Sequence, residues 1–599
     1  MSDRTRSSRR STRDKRRFHM NPLRWIVSIA VLLVVVIGVV FALQALKAAD
    51  ALQSAAKSAE RLQDQLIAGE NEAAKISLGA LQDQAATAES NTDGPLWAAA
   101  TILPVVGDSI DAVRVSASSL DDIARRGLPP VVDTASTINS DLFKPKDGRF
   151  DLETFTELAP AITTASDVLS ANADRILAIN RGDLVGPLVR PIAEVQDKLA
   201  SAQRSSDAAA RALRLVPEML GGNGTRRYLL LVQTNAEVRA TGGLPGAYAV
   251  MKASNGKVEL ELQGEGNEMP KYDDDTMVDL TEEELFAFGS LMGTDFRDVN
   301  FTPEFPRASE VAAEMIRREY GFEVDGVAAI DPVTLGYVLA GTGTIDMPIG
   351  PDLTADNAAD ELLYGVYDRY PVPDQQDAYF EAATLSVFKA VLSGTGDWRK
   401  VLEGFTQATN ERRTALWFAD EDLQREITGT LIAGEFPADE KKPTIGVYLN
   451  DMTESKMQYF LRHNSRVRAT TCNDDRSQNL TVSTTFTSTA PNKVNQIPRY
   501  VTGSKQKRGT QTIRVHVFAP AGGSVDEVIL NGEKQASQGD IALKGRPYHK
   551  LDITLAPGEE LTLTTRVTTA PGATADTRFT STPGVWDSAH DVRVPSSCR

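Results

Sequence analysis

The chain is short of the residues that carry most enzymatic chemistry. Its 599 residues include two cysteines and five histidines. Two cysteines exclude a disulfide scaffold and a Cys-rich zinc protein. The histidines are His19, His463, His516, His549 and His590, so none falls between residues 47 and 462. That stretch also lacks cysteine. It cannot supply a Ser-His-Asp or Cys-His mechanism, or a His-ligated zinc, from its own residues. There is no Gly-x-x-x-x-Gly-Lys-Ser/Thr loop, and the glycines near residue 242 lack the strand–helix context of a dinucleotide fingerprint. A formal charge of −17 argues against nucleic acid as a partner. With 41% hydrophobic and 24% charged residues, a wholly disordered chain is excluded.

Charge is segregated. Residues 1–24 carry nine Arg or Lys against Asp3 and Asp14, a net of +7, which leaves −24 on the other 575 residues. The boundary falls at Trp25–Leu43, nineteen residues without a charge. Such a run is long enough to span a bilayer and longer than the core of a cleavable signal peptide. The reading is a basic cytoplasmic tail (1–24) and an uncleaved transmembrane helix (25–46). Residues 47–599 are then extracytoplasmic by the positive-inside rule. The protein is expected in the plasma membrane, crossing it once.

Residues 47–220 are rich in Ala, Leu, Asp, Gln and Ser. Leu52, Ala55, Ala59, Leu62, Leu66, Ala73, Ile76 and Ala80 form a small apolar stripe at helical spacing. Breaks are expected at 91–95, at Pro104 and at 127–130, and a further helix pair at 151–180 and 187–217. A helical stalk, open to self-association, is the expectation. From Arg227–Gln233 onward, buried strands alternate with helices, which predicts an α/β core with a mixed sheet over 225–440. Asn255-Gly256 predicts a tight hairpin turn, and Asp331-Pro332 a capped helix start. Helices are expected to continue through 355–430. Past residue 443 the period changes to two, in Leu480–Phe486, Ile513–Val517 and Leu551–Leu555, predicting a β-sandwich over 443–599. Cys472 and Cys598 lie in this region, in a compartment that permits oxidation. A bridge between them is expected, with two free thiols as the alternative.

The densest candidate site is Gln233–Gly246, leaving the end of a buried strand where α/β sheets commonly place ligands. Gly242 and Gly243 would let the backbone approach a ligand, and Arg239 would pair with a phosphate or carboxylate. On that reading, Arg239→Ala abolishes ligand binding and leaves the melting temperature nearly unchanged. The competing reading is a structural turn in which Asn235 and Glu237 bond backbone and Arg239 pairs with Glu237. A second cluster, Asp295–Arg307, holds Arg297, Asn300 and Arg307; it reads as an exposed loop with helix caps and surface ion pairs, or as a further basic contribution to a site. Asp273-Asp274-Asp275 would attract a divalent cation or simply be solvated. No cofactor is predicted, with Mg²⁺ as the one candidate.

Three stretches carry a resemblance: Arg227–Gly243, Asp298–Pro306 and Val324–Leu335. With Asn450–Phe460, they resemble a membrane-anchored bacterial family of unknown function (domain of unknown function 4012) over most of 25–465. The element order is also remotely similar to the LytR-CpsA-Psr phosphotransferases, which move cell-wall glycopolymers from polyprenyl-phosphate carriers. Where that family keeps Asp and Arg, this chain has Asn235, Gly243–Tyr248 and Gln263–Asn267, so the resemblance implies the fold more than the Mg²⁺–pyrophosphate chemistry. Three functions follow. The α/β core binds a wall glycopolymer or lipid-linked precursor; or the chain is a Mg²⁺-dependent glycopolymer phosphotransferase using Arg239, Arg297 and Arg307; or it is a structural envelope protein. Whether it is an enzyme stays open on the sequence.

Overall fold

The structure is a computed structural model. It describes residues 22–599 except 136, 138, 139, 147, 505, 540, 587–590 and 599, and not the side chains of 22–35, 37, 67, 140 and 141. Residues 1–21 of the basic tail, His19 and His590 lie outside the described residues, as do most side chains of the apolar run. Among the described residues, no helix is long and apolar enough to cross a membrane. Two compact units emerge, one from the residues before 138 with 160–210, the other from 138–159 with 211–599.

The first unit is helical. Helix α1 runs without interruption over Pro22–Ala68, and α2 (Asn71–Thr92) returns against it after a turn at Gly69, where φ is +73°. Their seam is made of Ala55, Leu62, Ala74, Leu78, Leu81 and Ala85. The expected stripe holds on α1 but not on α2, where Ile76 is exposed. The turn restarts the helical phase, so a stripe carried across it points the wrong way. Next come α3 (Pro95–Ala100), α4 (Gly107–Asp122) and α5 (Leu128–Thr134). The expected break at 127–130 is not a break. A π-helical turn over Ile123–Gly127 leads into α5, whose first turn holds Pro129 and Pro130, where a missing N–H breaks no helical bond. Helices α6 (Leu152–Leu177) and α7 (Gly186–Met219) match the expected pair, and each runs from one unit into the other.

The second unit contains three sheets. The α/β sheet has the order β3-β2-β1-β4-β5, built from β1 (Arg226–Arg239), β2 (Gly242–Ser254), β3 (Lys257–Glu265), β4 (Gly326–Ile330) and β5 (Ala415–Phe418). β1 pairs parallel with β4 and antiparallel with β2, so the sheet is mixed. Asn255 and Gly256 sit at φ +48° and +79° in the β2–β3 turn. Helices α8 (Glu282–Phe288), α9 (Leu291–Thr294), α10 (Phe305–Tyr320) and α11 (Pro332–Thr342) fall between the strands. Asp331 caps α11, accepting the Thr334 N–H at 2.7 Å. The expectation of helices throughout 355–430 is corrected by β5, which forms the antiparallel sheet edge beside β4. Four residues in a helix-rich stretch show too little alternation to reveal a strand.

The other two sheets form the expected sandwich. Their strands, in chain order, are β6 (Thr444–Asp451), β7 (Leu461–Cys472), β8 (Gln478–Ser488), β9 (Gln511–Phe518), β10 (Ser524–Leu530), β11 (Glu533–Lys534), β12 (Ala542–Leu543), β13 (Arg546–Leu555), β14 (Glu560–Thr568), β15 (Thr577–Ser581) and β16 (Asp591–Val594). The first sheet has the order β11-β10-β14-β8-β7. The second is β12-β13-β9-β6-β15-β16. Val482, Phe486 and Leu563 of the first meet Val447, Val515 and Ile553 of the second. Val238 of β1 enters that core, while Phe436, Tyr448 and Phe518 join the α/β core beside Leu229 and Phe305. The α/β sheet and sandwich thus share their apolar interior. Cys472 and Cys598 are disulfide-bonded across 126 residues, tying β7 to the end of the chain.

Candidate functional site

The segment Gln233–Gly246 lies at the junction of α/β sheet and sandwich. The β1–β2 ladder shifts register between Thr234 and Val238, so Asn235, Ala236 and Glu237 bulge out of it. A β-bulge of this kind re-aims side chains. Gly242 and Gly243 serve the bulge itself. A Cβ on Gly243 would collide with the Thr234 carbonyl, and Gly242 has φ +143° with the Gln233 amide oxygen close by. These glycines admit the chain's own backbone.

The charged residues are engaged inside the protein. Arg239 is 5% exposed and donates through Nε and Nη2 to one carboxylate oxygen of Asp298, at 2.9 and 2.7 Å. Its guanidinium also lies 4.8 Å over the Phe301 ring. The expected Arg239–Glu237 pair is therefore replaced. Glu237 pairs instead with Lys456, whose Nζ sits 4.9 and 5.2 Å from the Tyr367 and Tyr500 rings. Arg297 binds Asp295 at 2.7 Å, and Arg307 binds Glu284 at 2.9 Å. These three arginines, required to converge for a phosphotransferase, are held by three different carboxylates. Asn300 is fully buried and donates to Thr241 Oγ1 and the Gly243 carbonyl at 2.9 and 2.8 Å, bracing the glycine turn. Asn235 is also fully buried, and neither end of its side-chain amide has a hydrogen-bond partner.

Lys456 belongs to Asn450–Phe460, a stretch that also closes over the bulge. Asn450 accepts the Ala240 N–H at 3.0 Å and donates to the Phe301 carbonyl at 3.1 Å. Asp451 accepts from Gln458 at 2.7 Å and from the Thr453 N–H at 3.1 Å. Burial pushes its carboxyl up to about 6, against the pull of Arg239. Burial outweighs Arg239 at Asp298 too and raises that carboxyl. At Glu265, burial followed by the neighbouring Asp377 and Glu268 carboxylates raises the carboxyl to about 7. Sequence reasoning did not single out Asp298, Asp451, Lys456 or Glu265. Asp298 opens the resembling stretch Asp298–Pro306, and Asp451 and Lys456 lie in Asn450–Phe460, but nothing local connects either stretch to Arg239.

Little space remains at the junction. A cavity lined by Ala240, Thr241, Phe305, Arg412, Tyr448 and Pro583 holds about 20 Å³, room for about one water. Among the described residues, no group of three or more His, Cys, Asp or Glu is placed to hold a metal ion, Asp273-Asp274-Asp275 included. His463 and His516 are buried, which pushes each down to about 4.

The bulge does support a surface. Ala236 packs with Leu363 and Val585, and against these lie the half-buried Tyr459 and Trp586. Tyr364 stacks on Tyr459 at 5.0 Å, Trp586 meets Tyr459 edge-on at 5.7 Å, and Arg462 lies 3.8 Å over the Trp586 ring. The Tyr459 hydroxyl donates to the exposed Asp360 at 2.9 Å. These rings are half-buried and bordered by a carboxylate and a guanidinium, a combination that suits a ligand apolar on one side and hydroxylated at its rim.

Residues 223–367 match the family described as "Protein of unknown function (DUF4012)". The matched segment holds the bulge, Asp298 and Tyr364, but ends before Asn450–Phe460, which completes the junction. No curated protein matches the chain.

Proposed function

We propose that the chain is a single-pass, membrane-anchored protein of the cell envelope whose extracytoplasmic α/β–sandwich unit binds, without catalysis, a wall glycopolymer or its lipid-linked precursor. The observation that carries the binding reading is the patch of Tyr364, Tyr459 and Trp586 with Asp360 and Arg462 at its border. Pyranose rings present C–H faces to aromatic rings and hydroxyls to flanking charges. The Cys472–Cys598 bridge supports an oxidising compartment, and the uncharged Trp25–Leu43 run supports the anchor. A phosphotransferase of LytR-CpsA-Psr type is disfavoured because Arg239, Arg297 and Arg307 are each committed to a carboxylate.

Purified full-length protein in detergent is expected to retain soluble wall glycopolymer. Trp586→Phe, which keeps a ring against Ala236 and Val585, should lose about fivefold in affinity while still folding, since one aromatic contact contributes on the order of 1 kcal/mol. Equal retention by the variant would move the site elsewhere. Mg²⁺-dependent transfer of glycan from a polyprenyl carrier to an acceptor would overturn the non-catalytic reading.

A further inference from the structure

The loop between α3 and α4 presents an unbroken apolar surface. Ile102, Leu103, Pro104, Val105 and Val106 are five consecutive exposed residues, all apolar, with Ile102 and Val105 each 83% exposed. No charge occurs between Asp93 and Asp108. Runs of this kind on a surface mark an interaction site. The neck of the loop is closed tightly, for a Cβ on Gly107 would collide with the Thr101 carbonyl.

Its position says what it meets. Trp97, just ahead of the loop, packs its ring 4.6 Å from Phe41 and donates from Nε1 to Gln44 at 3.1 Å. Phe41 belongs to the apolar run Trp25–Leu43 and Gln44 is the first polar residue after it. Higher up, Ala51, Ala88 and Ala117 meet in one cluster. From there α1 descends ten residues to Phe41 and α4 ten residues to Gly107, ~15 Å in each case at 1.5 Å per residue. The tip therefore reaches the level of Phe41, beside Val36, Val39, Val40 and Leu43, which are exposed on α1. Trp97 itself is buried, so its contacts fix the height of the loop against α1.

We infer that Ile102–Val106 is a second membrane contact, a loop that inserts into the hydrocarbon of the outer leaflet beside the transmembrane helix. This rests on reading residues 25–43 as a span. Its occupant is acyl chain, matched by the uncharged loop and its continuity with the apolar face of α1.

The test uses full-length protein in nanodiscs, with an NBD fluorophore on Leu103→Cys or Val105→Cys. Both positions are exposed, and the native cysteines are bridged. Leu43→Cys reports on the anchor, and Glu72→Cys on a site in water. The expected result is blue-shifted emission at 103, 105 and 43, with a several-fold loss of emission when the lipids carry acyl-chain nitroxides, and neither effect at 72. Quenching at 43 without quenching at 103 and 105 would overturn the loop contact and leave the anchor standing. Blue-shifted but unquenched emission at 103 and 105 would mean cover by protein, such as a second copy, and would also overturn it. No quenching at 43 would remove the span and the inference with it.

Discussion

The two units solve the problem of burial in opposite ways. The helical unit buries small residues: Ala48, Ala55, Ala74, Ala85, Ala88 and Ala117 are inaccessible or nearly so. Alanine seams let helices approach closely, yet each removes little apolar surface from water, at ~25 cal/mol per Å². The α/β–sandwich unit buries large rings and charges together. Arg239–Asp298, Arg413–Asp331, Arg546–Glu304 and Lys456–Glu237 are all inside it. Burying ions is costly, and an intact pair stabilises little compared with the penalty for breaking it. The contrast teaches where each unit is sensitive, volume in the first and partnership in the second.

The largest expected effect is on the second unit as a whole. Reducing Cys472–Cys598 frees a 126-residue loop. In the chain-entropy model this costs ~4–5 kcal/mol, so the melting temperature of the second unit should fall on adding reductant. An unchanged melting curve would show that the bridge constrains nothing beyond what packing already fixes.

Next comes Arg239→Ala. It leaves the Asp298 carboxylate buried without its cation, which should cost about 3–5 kcal/mol. Lysine should rescue only in part, because it cannot reproduce the two-pronged contact. This reverses the expectation drawn from the sequence, in which removing Arg239 spared stability. Chemical denaturation of the three proteins checks the order.

Lowering the pH should act on the same unit through groups that pull in opposite directions. His463 and His516 sit near 4 in the folded protein against about 6.5 when unfolded. Their contribution is fully present above pH ~6.5 and is lost as pH falls toward 4. Asp451 works in the opposite direction. Raised to about 6, it contributes below pH ~4 and loses that contribution as pH rises through 6. Glu265, raised to about 7, and Asp298, also raised, act with Asp451 and offset the histidines. The histidine loss should therefore show as a stability gain of His463→Gln or His516→Gln over the native protein that grows between pH 6.5 and 4. Asp451→Asn should stabilise the protein at pH 7.5, since an amide oxygen can still accept from Gln458 and Thr453, and a destabilised variant would show that those bonds require the charged carboxylate.

The smallest effect is expected in the helical unit. Ala85→Leu forces a larger side chain into the α1–α2 seam, for about 1–3 kcal/mol of overpacking strain. Far-UV circular dichroism on heating should detect it. Tolerance of leucine there would mean that the seam is loose.

What could be read from the sequence was local. Asn255-Gly256, the Asp331 cap and the alternation in Leu480–Phe486 and Ile513–Val517 encode their structure within a few residues, and all are seen. The bridge was legible because only two cysteines exist. Arg239 was noticed but misassigned. A sequence window shows Glu237 two residues away, whereas Asp298 lies 59 residues on and Lys456, which takes Glu237, 219 residues on from it. The bulge at Asn235–Glu237 separates these neighbours by turning their side chains apart, and no period of 2 or 3.6 announces it. The aromatic patch was invisible for the same reason, since Tyr364, Tyr459 and Trp586 come from three distant segments.

The central claim is that Glu237 in the bulge and Arg239 beside it hold the unit together by pairing with Lys456 and Asp298 from distant segments. A double-mutant cycle on Arg239→Met and Asp298→Leu, read by denaturant unfolding, tests it most directly. The account predicts a coupling of about 2 kcal/mol or more, with the double variant more stable than either single one, because an apolar pair leaves no unpaired buried charge. Single effects that add to within ~0.5 kcal/mol would contradict it.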